Sequence, residues 1–342
     1  MLRILHVGLG PLGQKIIADL YERGLGEVVA AVDMASEFEG RKVSDLVPAS
    51  GARVPIRKTF EADLDARRVD CAIVTTSSDL DRCEPVLRDL VGRGLAVVST
   101  CEELCWPWLR HKTLADELDR IARARGGRLL GTGVNPGFLM DAFPLAATAI
   151  SKSVRSIRVE RRQDAATRRI PFQKKIGAGL DDAQFAAQVA ARTLRHVGLG
   201  ESLHFLADRL GLPVERWDET IEPIRAERDL ESSLGPIRKG RVAGIRQEAR
   251  GYGGGGETLV ALDFRAAVGL ADPHDRVVVE GEPAIDLVWK GGIHGDVATS
   301  SIVLNSIAPL RASAPGLHTM ATIPLVGCTP GRALVGAGGP RT

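Results

Sequence analysis

The run Gly8-Leu9-Gly10-Pro11-Leu12-Gly13 constrains this chain more than any other stretch. It follows Ile4-Leu5-His6-Val7, which reads as a buried strand, and it leads into residues 14–21, whose apolar positions recur at helical spacing. A second apolar run, 28–32, ends at Asp33. Strand, glycine turn, helix, strand and acid in that order form a dinucleotide-binding unit, with the acid at the expected separation of about twenty residues. Gly8 permits the tight turn, Gly10 lets backbone approach a pyrophosphate, and Gly13 lets helix and strand pack closely. Pro11 suits a first helical turn because its missing N–H has no partner to lose. The free N–H groups of that turn, Leu12 among them, would hold phosphates. Asp33 can accept from both ribose hydroxyls and would repel a 2′-phosphate, so NAD is the expected cofactor. Arg41 and Lys42 follow shortly after, which leaves NADP open.

At 342 residues the chain has room for two domains with real cores. Its 45 basic and 43 acidic residues leave a formal charge of +2, which gives no electrostatic reason to expect nucleic acid or a membrane surface. No apolar run approaches the roughly 20 residues that span a bilayer. The first residues pass straight into a strand without a secretory pattern, so the expected location is cytoplasmic. The cysteines Cys71, Cys83, Cys101, Cys105 and Cys328 are odd in number and lack a repeated spacing, which argues against a disulfide framework. The histidines form neither HxxxH nor HExxH, so no metal site is expected.

Residues 1–135 alternate apolar runs with amphipathic stretches, as a parallel sheet requires. Strands are expected at 69–76, 95–99 and 128–131, and helices at 80–93, capped by Ser78 or Asp79, and at 112–125. A turn-rich segment, 132–138, closes the alternation before a helical stretch at 139–150. Strands then cluster at 156–162, 241–250, 258–268 and 276–280, with helices at 182–196 and 201–211. That texture suggests a mixed or antiparallel sheet carrying helices on one face. The glycines 253–256 read as a hairpin tip. An apolar helix at 296–306 is expected to return to the first domain. The expected fold is therefore α/β: a Rossmann-type, doubly wound parallel sheet over 1–135, completed by 296–342, and an α+β domain over 136–295 for substrate binding and dimerisation.

In an open α/β sheet, chemistry takes place beyond the carboxyl ends of the strands. Thr75 and Thr76 end one strand there and are candidate cofactor contacts. After 95–99 come Cys101, Glu102 and Glu103, a carboxylate pair suited to moving protons, of which one member faces the site. The acids would equally suit a helix N-terminus. Asn135, before Pro136 and Gly137, can fix a carboxamide, or it can be part of a plain turn. Phe138 and Trp106 are candidate substrate walls. His294, set among glycines, and Thr299, at the start of the last helix, are candidate substrate contacts. The basic stretch that contains Arg155, Arg158, Arg161, Arg162, Arg168, Lys174 and Lys175 lacks interleaved aromatics and reads as a solvated strand face or dimer rim.

Taken together, Gly131-Thr132-Gly133-Val134-Asn135-Pro136-Gly137-Phe138, Ser99-Thr100-Cys101-Glu102-Glu103-Leu104 with Pro107, His196-Val197-Gly198-Leu199-Gly200-Glu201-Ser202, Glu219-Thr220-Ile221-Glu222-Pro223, Val242-Ala243-Gly244-Ile245-Arg246-Gln247 and Gly292-Ile293-His294-Gly295-Asp296-Val297-Ala298-Thr299 resemble the 2,4-diaminopentanoate dehydrogenases and native amine dehydrogenases, distant relatives of dihydrodipicolinate reductase. The resemblance covers almost the whole chain. It implies reversible NAD(P)-dependent oxidative deamination of a small amine, or reductive amination of a ketone or aldehyde with ammonia. It also implies a homodimer and a glutamate of the acidic loop, Glu102 or Glu103, near the nicotinamide. Alternatives are 2,4-diaminopentanoate dehydrogenase in the strict sense, a dihydrodipicolinate reductase-like C=N reductase drawing on His196, His204, Lys174 and Lys175, and a nucleotide-sensing protein without turnover.

Overall fold

The computed structural model describes residues 1–59, 68–168 and 170–331. The chain divides into two compact units, one of residues 1–138 with those from 295 onward, the other of 139–294.

The first unit holds a parallel sheet built from β1 (Leu2–Val7), β2 (Gly26–Val32), β3 (Ile56–Arg57), β4 (Cys71–Val74), β5 (Ala96–Ser99), β6 (Arg128–Gly131) and β13 (Gly316–His318), in the order β13-β6-β5-β4-β1-β2-β3. Side-chain alternation on β1 explains the layering: Ile4 enters one core, Leu5 and Val7 the other. On the Ile4 face lie α1 (Pro11–Glu22) and α9 (Gly295–Ala312), where Ile16, Ile17 and Leu20 meet Val303, Leu304 and Ile307. The opposite face carries α3 (Leu80–Gly92) and α4 (Lys112–Arg125), which contribute Leu87, Leu90, Leu118 and Ala122. Each such leucine or isoleucine, fully buried, is worth ~1.5–3 kcal/mol. A short helix, α2 (Val43–Leu46), lies between β2 and β3.

The second unit holds β7 (Ser153–Asp164), β8 (Arg216–Arg225), β9 (Val242–Tyr252), β10 (Thr258–Ala267), β11 (His274–Glu282) and β12 (Ile285–Lys290), ordered β12-β11-β7-β10-β9-β8. Only β7 and β10 pair in parallel, so the sheet is mixed. Its helices are α5 (Ala142–Ala147), α6 (Ile170–Lys175), α7 (Asp182–Ala190) and α8 (Leu199–Leu210).

Several elements differ from expectation. The stretch 139–150 is helical only as α5 followed by a 3-10 turn, because Asp141 caps at Ala142. The helix expected over 182–196 ends at Ala190. Strands β8 and β12 are additions, and Trp289 and Lys290 belong to β12. The basic stretch is not uniformly solvated. Arg161 is 1% exposed and bonds the Asp275 carboxylate at 3.2 Å and the Ile293 carbonyl at 3.0 Å. Strand alternation places it on the inner face with Ile157 and Val159. Burial pushes the Arg161 guanidinium down to about 10 and the Asp275 carboxyl up.

Candidate active site

The turn between β1 and α1 opens a cleft of about 960 Å³, lined by Gly8, Gly10, Pro11, Asp33, Thr75 and Thr76 among others. Gly8 has φ +91°, and a Cβ there would meet the Thr75 carbonyl at 2.7 Å. At Gly13 a Cβ would collide with the Gly8 carbonyl, so both positions need glycine for close packing. A Cβ on Gly10, by contrast, would meet nothing within 4 Å. It would fill only the open cradle of the turn. Gly10 caps α1 without a side-chain hydrogen bond, and Pro11 stands in the first turn. The first N–H groups of α1 are therefore available to an anion rather than to a side chain. Leu12 packs its side chain on the core and can offer only its backbone to the cleft.

Asp33 stiffens this turn. Its carboxylate accepts from Leu9 N–H at 2.6 Å and from Ala35 N–H at 2.9 Å. The Thr75 hydroxyl donates to the Gly8 carbonyl at 2.7 Å, so it buttresses the turn from the neighbouring strand. Beneath the turn His6 is wholly buried, and burial holds its ring down to about 4, hence neutral. Lys58, a cation of the cleft wall, is paired with Glu39 at 2.7 Å. Arg41 spends its guanidinium on the Asp45 carbonyl, and neither Arg41 nor Lys42 lines the cleft. The sequence pattern did not point to Gln14, Lys58, Arg82, Pro85 or Val86 as cleft walls. The last three share one face of α3 at helical spacing, a signal that periodicity carries only once the helix is docked.

The acidic pair follows β5 as a 3-10 turn, Glu102–Cys105. The two side chains part there. Glu103 is buried, accepts from Leu80 N–H at 2.9 Å and lies 3.0 Å from His111 Nε2. The other ring nitrogen of His111 is 3.3 Å from Asp81. Glu103 thus caps the first residue of α3, beside Asp79, which accepts from Arg82 N–H. Glu102 is half-buried and directly follows Cys101 at the carboxyl edge of the sheet. His111 was not singled out in the sequence, because a lone histidine before a helix carries no spacing signal.

Asn135 is buried and joined to Pro136 by a cis peptide, while Phe138 is half-buried at the end of the same turn. The Thr299 hydroxyl accepts from Val134 N–H at 3.4 Å, which ties α9 to that turn. Trp106 is buried edge-on against Trp108, with centroids 5.0 Å apart. His294 is exposed at the end of the second unit. His196 stacks on Phe264 at 4.4 Å, and His204 lies edge-on to Trp217, so both rings are taken up in packing. That weakens the C=N reductase alternative.

Residues 138–334, more than half of the chain, match the family described as the 2,4-diaminopentanoate dehydrogenase C-terminal domain. The 2,4-diaminopentanoate dehydrogenase of Acetoanaerobium sticklandii is 27% identical over 334 residues, covering 94% of this chain and 93% of that protein. An amine dehydrogenase of Streptomyces virginiae is 24% identical over 293 residues, covering 78% of this chain and 80% of its own. The amine dehydrogenase structure from Mycobacterium smegmatis superposes with a TM-score of 0.82 at 21% identity, over 96% of this chain and 98% of that one, and so shares the fold. With the glycine cleft and the acidic turn in place, the chain belongs to the 2,4-diaminopentanoate dehydrogenase family.

Proposed function

We propose that the cleft beside Asp33 binds NAD in preference to NADP, and that Glu102 moves the protons of a reversible oxidative deamination of a small amine. The chain is an oxidoreductase acting on CH–NH2 donors. The observation that carries the residue assignment is the parting of the acidic pair. Glu103 is buried against α3 and His111, whereas Glu102 is half-buried at the carboxyl edge of the sheet, directly after Cys101, and that position favours Glu102 for the chemistry.

The open cradle at Gly10, the uncapped start of α1 and the Asp33 carboxylate fit a pyrophosphate and an adenosine ribose. When bound, the nicotinamide supplies or accepts the hydride. Gly8, Gly10, Pro11, Leu12 and Gly13 hold the phosphates, Asp33 the ribose, and Thr75 and Thr76 the wall, with Asn135 fixing an amide. In the amination direction, Glu102 takes a proton from attacking ammonia and returns one as the carbinolamine loses water. The iminium that results is cationic, and a carboxylate beside it lowers the barrier electrostatically. Glu103 positions the turn. Phe138, Trp106 and Thr299 are the substrate contacts of the first unit and His294 that of the second, with Trp106 excluding water that would hydrolyse the imine. Pairing of Lys58 with Glu39 supports NAD, since that cation is already neutralised.

A homodimer in the cytoplasm completes the proposal. Among the described residues no helix is long and apolar enough to cross a membrane. Light scattering on the purified protein tests the dimer. The function is tested by following reduced cofactor with NAD or NADP and a panel of small amines, and by the reverse reaction with ketones, aldehydes and ammonia. Glu102→Gln is expected to lower turnover by roughly 10²–10⁴ with cofactor affinity unchanged. Full activity in that variant overturns the assignment.

A further inference from the structure

Two thiols lie behind the cleft wall, outside the machinery described above. Cys83 stands on α3 between the cleft-lining Arg82 and Pro85, and Cys101 directly precedes Glu102. Both residues are 1% exposed. Their Sγ atoms lie against the carbonyls of two successive residues, Ser77 and Ser78. Cys83 Sγ is also 3.4 Å from the Ser77 carbonyl and 3.6 Å from the Thr76 hydroxyl, and Thr76 lines the cleft. Cys101 Sγ is 3.3 Å from the Ser78 carbonyl. One short loop therefore seats both sulfurs, and Cys83 touches Thr76 of the cleft wall.

We propose that Cys83 and Cys101 form a thiol modification site, closed to a disulfide by a small hydroperoxide entering through the cleft, and that the bond restrains the acidic turn. The Cys83 thiolate attacks the peroxide, its sulfur gains oxygen, the O–O bond breaks and hydroxide leaves. The Cys101 thiol then attacks the sulfenic sulfur, and water leaves as the S–S bond forms. Two thiols are oxidised and one peroxide is reduced to water. The roles follow from the surroundings. The neighbouring Cys101 thiol and Thr76 hydroxyl outweigh the burial of Cys83 and bring its thiol down to about 7. The same contact and burial push the Cys101 thiol up, which suits it to the resolving step. The product joins α3 to the residue before Glu102, so the carboxylate pair shifts with it.

Treatment of the whole protein with hydrogen peroxide, followed by non-reducing peptide mapping, tests this. The expected result is a Cys83–Cys101 cross-linked peptide, formed with loss of two hydrogen atoms, and a fall in turnover that dithiothreitol reverses. Exposed Cys328 reports that the oxidant is sufficient. Cys83→Ser and Cys101→Ser, checked for unchanged melting when reduced, are expected to lose the cross-link and to resist inactivation. Oxidation of Cys328 without the cross-link, a cross-link without loss of turnover, or equal inactivation of both variants each overturns the proposal.

Discussion

Replacing Glu103 separates support from chemistry. The Glu103 carboxylate is the acceptor for Leu80 N–H and a partner of His111 Nε2, in a setting only 8% exposed. Glu103→Ala leaves a helix-start donor and an imidazole without that acceptor. Each buried group stranded in this way costs ~1–3 kcal/mol, so the pair amounts to ~2–4 kcal/mol after partial rehydration. For a unit of this size 1 kcal/mol moves the melting midpoint by ~2–4 °C, so a drop on the order of 5–10 °C is expected by calorimetry. Glu103→Gln keeps one acceptor oxygen and is expected to lose less than half of that. Glu102→Gln, which keeps the shape of a half-buried side chain and an acceptor oxygen, is expected to leave the midpoint within ~1–2 °C while turnover collapses. If Glu103→Gln melts like the parent yet loses turnover, and Glu102→Gln keeps it, the division of labour is inverted and the reasoning fails.

Gly8→Ala meets the Thr75 carbonyl at a positive φ, so it is expected to weaken cofactor binding in a titration; wild-type affinity would refute the close packing of the turn. Asp33→Ser removes the anion that repels a 2′-phosphate, and the ratio of kcat/KM for NAD over NADP is expected to fall by ~10-fold or more. Arg161→Met strands the buried Asp275 carboxylate at ~3–5 kcal/mol. Burial already raises that carboxyl in the folded state, and loss of the cation raises it further, so protonation favours folding. The defect, followed by urea unfolding, is then expected to shrink as pH falls, and a constant defect across pH would refute the pairing. A folded-state thiol lowered to about 7 keeps its thiolate above that pH, so cross-linking at Cys83 is expected to slow ~5-fold one unit below it.

The first unit was largely legible because backbone geometry dictated its residue types. A turn that requires φ +91° at Gly8 and excludes a Cβ at Gly13 admits little but glycine. Helix α4 and strand β6 begin and end where their periodicity does. Strands β8 and β12 escaped notice for one shared reason: they are the two edges of their sheet. An edge strand buries little, so Arg216–Arg225 can carry Asp218, Glu219 and Pro223, and Ile285–Lys290 can leave Trp289 45% exposed. Arg161 was misread because side-chain class outweighed alternation. Its neighbours Ile157 and Val159 already marked the inward face. The parting of Glu102 from Glu103 was not legible at all, since a 3-10 turn and the docking of α3 decide it.

That docking links the two halves of the candidate site. One helix start, Asp79 to Cys83, meets the acidic turn through Glu103 and Cys101 and meets the cleft through Arg82. Its capping is doubled: Asp79 takes Arg82 N–H and Glu103 takes Leu80 N–H, so the carboxylate next to Glu102 is spent holding the wall of the cleft. Any shift of α3 must then carry the turn with it, because a buried acceptor cannot release its donor without a cost of ~1–3 kcal/mol. Glu103 thereby fixes the backbone of the 3-10 turn on which its neighbour Glu102 stands.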